Sequence, residues 1–158
     1  MTAFDDLIAA GPAALDGGLA SELEARGHDL TGILWSARLL RDDPDAIRDV
    51  HRTYYESGAT VGISASYQAS RSGFARQGLD ASDADRLLAL SVKLLRGAVD
   101  LAGKHGARIV EGYPVIPSKD KVPDVFAWTG MLATFEKAGF REVHRWLPNR
   151  PIMRIDCR

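Results

Sequence analysis

The chain has 158 residues, of which 46% are hydrophobic and 26% charged, and its formal net charge at pH 7 is −1. This composition predicts one soluble globular domain, and the charge gives no reason to expect nucleic acid or an anionic membrane as a partner. No apolar run reaches the roughly 20 residues of a membrane-spanning helix, and the acidic N-terminus does not resemble a signal peptide. The single cysteine, Cys157, excludes an internal disulfide, so we expect a cytoplasmic protein.

The first candidate functional element is an acid followed by two glycines. The apolar run 13–15 predicts a short strand, and the helix-forming run 19–26 follows Asp16, Gly17 and Gly18. Ligands of βα-barrels bind at the carboxyl ends of the strands, and glycines let the backbone approach a ligand closely. The turn is therefore a candidate ligand-binding element, with a plain strand-to-helix turn as the alternative.

The rest of the first half alternates helices with a second strand. A helix predicted to begin at Pro44 carries an apolar stripe that includes Ile47 and Val50. We place His51 on the solvent-facing surface of this helix rather than in a ligand site. The small and β-branched run 60–66 predicts a second strand, buried on both faces, which gives β-α-β order. Shorter helices are predicted over 3–10, 33–41 and 70–78.

The second half begins with a long helix, predicted over about 83–104 by a continuous apolar phase and by its alanine, leucine and arginine content. A strand, a helix and a two-stranded hairpin follow. They are predicted over 107–115, 128–138, 142–147 and 151–157, with the hairpin turn at 148–151. The fold class is therefore α/β, with a parallel β-α-β start and a small mixed or antiparallel sheet.

Four separated blocks of the first half resemble the start of the homocysteine S-methyltransferase family. In chain order they are LDGGLASELEARGHDL, LWSARLL, DPDAIRDVHRTYYESGA and ISASYQAS, and the resemblance covers about 12–92. It implies a zinc-dependent TIM barrel that transfers a methyl group to the thiol of homocysteine. A complete barrel of this kind usually takes about 250 residues, so the chain is expected to supply only a partial, TIM-barrel-like β-α-β start.

The resemblance also implies which residues meet the substrate. It places Asp16, Gly17 and Gly18 at the amino-acid substrate, together with Tyr67 and Gln68 after the second strand. The Asp16 carboxylate could hold an ammonium group, and the glycine N–H groups a carboxylate. The alternative for Tyr67 and Gln68 is a solvated loop.

Zinc is not expected in this chain. The family's site takes three cysteine thiolates, near-tetrahedral with the substrate sulfur. The chain has one cysteine, at position 157, and its four histidines show no close ligand spacing. We therefore expect no metal site and no resident cofactor.

From about residue 93 to 158 the chain is similar to the C-terminal part of GNAT-type N-acetyltransferases. The blocks are LLRGAVDLAGKHGARIVEGYPV, AWTGMLATFEKAGFREVHRW and RPIMRIDCR. This second resemblance implies acetyl-CoA, gripped by a glycine-rich loop at a helix N-terminus. That loop should lie in the run 86–92, which is predicted as a helix without glycine. The glycine-rich loop that binds acetyl-CoA is therefore missing.

Five residues of this segment are further candidates, and four of them have two interpretations. Glu111 and Tyr113 are a candidate base and acid, or a strand-end acid and a buried ring. Trp128, Thr129 and Phe135 would flank the acetyl-CoA cofactor, although the aromatic pair fits a core role better.

These observations predict two regions, a truncated homocysteine-binding region over 1–92 and a GNAT-like segment over 93–158. Three functions follow: methyl transfer to homocysteine, acyl transfer from acetyl-CoA, or a non-catalytic fusion remnant that at most binds a small amino acid. Truncation and the missing zinc cysteines favour an inactive chain. A small amino acid is the expected partner, and uncovered strand edges favour oligomer formation.

Overall fold

The computed structural model describes residues 3–32, 34–66, 69, 71–104, 109–116 and 132–157. These ranges form seven α-helices and three β-strands, an α/β composition of helices with one small sheet. In chain order the elements are α1 Ala3–Ala9, α2 Leu19–Ala25, α3 Trp35–Asp42, α4 Pro44–Glu56, α5 Arg71–Arg76, α6 Ala81–Lys104, β1 Ile109–Gly112, α7 Leu132–Lys137, β2 Arg141–Leu147 and β3 Arg150–Asp156.

The helices of the first half form where their start and stop signals predict. Asp43 caps α4: its Oδ1 accepts a hydrogen bond from the Ala46 N–H at 3.2 Å, and Pro44 occupies the first turn. Gly27 and Gly58, just past α2 and α4, have φ of 84° and 100°. Only glycine adopts such angles without strain, so both helices end there.

The two strands predicted over 13–15 and 60–66 are the main error in the sequence-based fold. They are reduced to one isolated parallel bridge, between Leu15 and Val61, in which the Asp16 N–H donates to the Val61 carbonyl at 2.7 Å. Nor is the second segment buried on both faces, because Ile63 is 44% exposed. A strand needs a neighbour along its edge, and no further strand pairs with either segment within the described ranges.

Helix α6 forms as one continuous element and contributes to two hydrophobic clusters. Leu88 and Leu94 pack into the first cluster, which lies among α2, α3, α4 and α5, whereas Val92 packs into the second, with α7 and the sheet. Members of the first cluster include Leu23, Trp35, Leu39, Leu40, Ile47, Val50 and Phe74. Members of the second include Phe135, Ala138, Phe140, Met153 and Ile155.

The second half contains a three-stranded sheet in the order β1-β3-β2. Both described pairings are antiparallel, so the mixed sheet predicted as one option is not what forms there. The predicted hairpin is confirmed, since β2 and β3 are joined across Pro148 and Asn149. Of the helix predicted over 128–138, only α7 lies in the described residues. The outer strands are β1 and β2, and oligomer formation through such edges stays a prediction.

Polar contacts join the two halves across α6. Arg71 of α5 holds Asp85 of α6 through two hydrogen bonds, of 2.8 and 2.9 Å, and Lys137 of α7 reaches the same carboxylate at 3.3 Å. The Arg96 guanidinium donates to the Ala138 carbonyl at 3.0 Å.

Among the described helices, none has the length and apolar character that crossing a membrane requires.

Candidate functional site

The Asp16 carboxylate is buried where the bridge between residues 15 and 61 ends. Its side chain is 4% exposed, and each oxygen has a protein donor. Oδ1 accepts from the Ile63 N–H at 2.9 Å, and Oδ2 lies 3.0 Å from Nδ1 of His51. Asp16 thereby joins three separate segments: its own turn, α4 and the stretch after Val61. This arrangement fixes both the position and the orientation of the carboxylate.

His51 is a correction to the sequence analysis, which placed it on the helix surface. It is 1% exposed and faces the Asp16 turn from α4. Its sequence spacing contains the signal that would have found it. Ile47, Val50, His51 and Tyr54 follow an i, i+3, i+4, i+7 pattern, so His51 lies in the middle of the inward stripe. Its partner is 35 residues away, which no local pattern reveals.

Gly17 allows the Tyr54 ring to approach the turn after Asp16 closely. A Cβ on Gly17 would lie 2.7 Å from Cε1 of Tyr54, so a larger residue there requires that ring to shift. The Tyr54 hydroxyl reaches the Gly18 carbonyl at 3.5 Å. Neither glycine has a positive φ, so backbone conformation is not what requires them.

A pocket of about 240 Å³ opens beside these residues. Asp16, His51 and Ser64 give it polar groups, while the walls are largely apolar. The full lining is Asp16, Gly17, Gly18, Leu19, Ala20, Val50, His51, Tyr54, Ile63 and Ser64. Its volume lies below the roughly 300–1,000 Å³ of drug-sized sites, which suits a small metabolite. The structure thus brings three predicted site residues, Asp16, Gly17 and Gly18, to one cavity.

Tyr55 extends the electrostatics of the site toward the C-terminal sheet. Burial, then the charges of Asp16 and of Cys157, raise the pKa of its hydroxyl to about 12. A Cβ on Gly62 would meet that hydroxyl, so the ring fills the space beside the bridge. Tyr55 therefore stays protonated and neutral near Asp16 through the physiological range.

The remaining sequence-based candidates lie elsewhere. Tyr67, Gln68, Trp128 and Thr129 fall outside the described residues. Phe135 is a core residue, as favoured, in an edge-to-face contact with Phe140 at a centroid distance of 5.3 Å.

Glu111 and Tyr113 form a structural network on the sheet. The Tyr113 hydroxyl donates to Oε2 of Glu111 at 2.9 Å, and Nε of Arg154, opposite on β3, donates to Oε1 at 3.1 Å. This is a cross-strand ion pair with a hydroxyl attached to it. The network is separate from the lining of the Asp16 pocket.

The residues present do not fit the zinc that the family resemblance implies. The chain has one cysteine, Cys157, which is partly buried. Burial and the neighbouring Asp100 and Asp156 raise the pKa of its thiol, which disfavours the thiolate that zinc binds. Within the described ranges, no group of three His, Cys, Asp or Glu side chains is placed to hold a metal ion.

Comparison with known proteins identifies the class to which this fold and pocket belong. The sequence model of the homocysteine S-methyltransferase family matches residues 13–143, so the chain belongs to that family. The match runs past residue 92, where the sequence analysis placed the junction between two regions.

Individual relatives agree with the family match. The homocysteine S-methyltransferase of Escherichia coli (strain K12) is 51% identical over 84 residues, which cover 53% of this chain and 27% of the relative. Homocysteine S-methyltransferase 1 of Zea mays is 45% identical over 102 residues, covering 63% and 32%. The crystal structure of the homocysteine methyltransferase MmuM from E. coli, metallated form, superposes with a TM-score of 0.59 at 43% identity, covering 64% of this chain and 35% of that one. The chain thus spans about a third of the length of these relatives.

Proposed function

We propose that this chain carries the homocysteine-binding part of a homocysteine S-methyltransferase, and that the pocket beside Asp16 holds the amino-acid substrate. The observation that carries the proposal is the buried Asp16 carboxylate, placed in a small cavity next to Gly17 and Gly18. The similarity to homocysteine methyltransferases supports a small amino acid such as homocysteine as the substrate. The parallel bridge at Leu15 corresponds, in this proposal, to the first two strands of the family's barrel.

The chemistry of the pocket suits the two ends of homocysteine. An ionised carboxylate offers about four lone-pair sites, and the Ile63 N–H and His51 use two, which leaves acceptors for an ammonium group. Charge-assisted hydrogen bonds of this kind are about twice as strong as neutral ones. The apolar walls, such as Leu19 and Val50, suit the methylene chain and the sulfur.

The proposal separates binding from methyl transfer. Attack on a methyl donor requires a thiolate, and the described residues provide no cluster that would hold zinc for this purpose. We therefore expect homocysteine binding without methyl transfer by this chain alone. No comparison favours acyl transfer or the GNAT-like segment, and a non-catalytic remnant that still binds an amino acid is compatible with this proposal.

Titration calorimetry with L-homocysteine tests the proposal directly. Wild type should bind, and Asp16→Asn should bind at least about tenfold more weakly, since a hydrogen bond to a charged group contributes roughly 1.5–3 kcal/mol and 1.4 kcal/mol is tenfold. Asp45→Asn is the matched control: it removes the same charge from an exposed site on α4 and should leave affinity unchanged.

A spectroscopic readout on the wild type guards against an Asp16 variant that misfolds. Homocysteine should shift the backbone amide resonances of residues 16–20 and 50–54 in NMR spectra, and leave those of β2 and β3 in place. Absence of binding at millimolar homocysteine, or shifts confined to the sheet, would reject the proposal.

A further inference from the structure

The Asp16 carboxylate is held by two donors of different kinds. The Ile63 N–H is a backbone donor that no side-chain substitution removes, and it fixes Oδ1. Nδ1 of His51 is the side-chain donor, and it fixes Oδ2 from a separate helix. The side chains of His51 and Asp16 are both at least nine-tenths buried, so water does not compete for the hydrogen bond between them.

The proposed function requires one tautomer of the imidazole. A carboxylate that binds an ammonium group is ionised and only accepts hydrogen bonds, so the proton has to be on Nδ1, the donor to Oδ2. Nε2, in contrast, is buried and has no hydrogen-bond partner among the described residues. A buried imidazole nitrogen without a hydrogen-bond partner lowers the stability of the fold. The hydrogen bond at Nδ1 is therefore kept although Nε2 is left without a partner among the described residues.

We infer that His51 is a positioning residue for the binding site: it acts through Asp16 and holds the carboxylate in the orientation that presents its free lone pairs to the pocket. This inference rests on the proposed binding of an amino-acid ammonium group at Asp16. Without the His51 donor, Oδ2 loses its only described side-chain partner, and the carboxylate is held at Oδ1 alone, so its terminal torsion is less restricted. A ligand then has to order the carboxylate on binding, which lowers affinity.

The competing interpretation is that His51 merely fills space. It lies on α4 beside Val50, and both line the pocket, so a bulky apolar side chain would serve equally well for packing. The two interpretations differ in what they demand of the residue. Positioning needs one N–H donor at the place of Nδ1, whereas packing needs the volume of the ring.

Three substitutions at one position separate these demands. Asn places an amide nitrogen near the position of Nδ1, Gln places one near Nε2, and Leu keeps bulk without a donor. We expect His51→Asn to bind L-homocysteine within about threefold of wild type, and both His51→Gln and His51→Leu to bind about tenfold or more weakly, since each loses a charge-assisted hydrogen bond. The melting temperature of each variant reports packing independently. Equal affinity in the Asn and Leu variants, or retention in Leu alone, would overturn the inference.

A measurement without ligand keeps this test apart from the proposed function. The ¹⁵N NMR spectrum of the wild-type imidazole should show a protonated Nδ1 and an unprotonated Nε2 for His51, and Asp16→Ala should abolish that preference. A His51 protonated at Nε2 alone in wild type would refute the positioning role. If homocysteine fails to bind but the expected tautomer and its dependence on Asp16 are found, the proposed substrate is wrong while the contact between His51 and Asp16 stands.

Discussion

The pocket region and the C-terminal sheet organise their backbones in opposite ways. In the sheet, β3 pairs along its length with β1 on one side and β2 on the other, so backbone groups bond to backbone groups. Around the pocket, one isolated bridge is the described strand-like contact, and the Asp16 carboxylate supplies a hydrogen bond that a neighbouring strand would supply in a ladder. A buried side chain thus replaces part of a sheet. In the proposed function, the remaining lone pairs of the Asp16 carboxylate are the acceptors that the pocket offers to an ammonium group.

The two regions share α6, and this sets how independent they are. Residues of α6 belong to both hydrophobic clusters, and Asp85 is bound from both sides by Arg71 and Lys137. Exposed ion pairs of this kind contribute little each, so the apolar contacts of α6 carry the coupling. Because α6 is shared, we expect the two cores to unfold together, although only the second contains a regular sheet among the described residues.

The largest expected effect comes from emptying either core. Phe74→Ala in the first cluster and Phe135→Ala in the second each remove a buried ring and should lower the free energy of unfolding by about 3–5 kcal/mol. Chemical denaturation measures this. Ile8→Ala is the control, since Ile8 is 51% exposed and should change stability by no more than about 0.5 kcal/mol.

Amide hydrogen exchange on the same variants tests the coupling. Each variant should lose protection in both regions. In every protein α6 should exchange most slowly, and residues 13–16 and 60–66 should exchange faster, because a single bridge protects them. Loss of protection confined to the sheet in Phe135→Ala would show that the regions unfold separately.

A second prediction compares two glycines, each beneath an aromatic ring. A Cβ on Gly112 would clash with the buried Phe135 ring, which has no room to move, so Gly112→Ala should cost about 1–3 kcal/mol. Tyr54 above Gly17 is only partly buried and can shift, so Gly17→Ala should cost less than about 1 kcal/mol but weaken homocysteine binding.

Gly97→Ala is the matched control for both glycines, and thermal or chemical unfolding is the measurement. On α6, its new Cβ would meet only the Arg48 side chain, at 3.9 Å, and alanine favours the helix by roughly 0.5–1 kcal/mol. If Gly17→Ala proves the more destabilising substitution, the pocket is the more rigidly packed of the two regions.

The elements that were predictable from sequence are those with local signals. Asp43 and Pro44 mark the start of α4, Gly58 its end, and the hairpin turn at Pro148 joins β2 to β3. Such signals work because the residues that begin or end an element lie next to it in sequence.

The site was only partly predictable, because its contacts are long-range. Asp16 and its glycines stood out from a family resemblance, but the burial of His51 depends on a carboxylate 35 residues away. The run 60–66 is β-prone, yet a strand also requires partners, and only Val61 finds one within the described residues.

The smallest expected effect comes from Tyr55, whose pKa responds to groups of both regions. Asp16 of the pocket and Cys157 after β3 both add to burial in raising its pKa to about 12, from an ordinary value of 10. Because the folded protein holds this proton more tightly than the unfolded chain, the contribution to stability is complete below pH 10 and is lost as the pH rises from 10 to 12. By pH 11 the loss reaches roughly 1 kcal/mol, on the order of one pKa unit of free energy.

Urea denaturation of wild type and Tyr55→Phe at pH 8 and pH 11 isolates the contribution of the Tyr55 hydroxyl, since other titrating groups are common to both proteins. The free energy of unfolding of wild type minus that of the variant should fall by that amount at the higher pH. An unchanged value would mean that the hydroxyl is not shielded by the packing between α4 and the bridge.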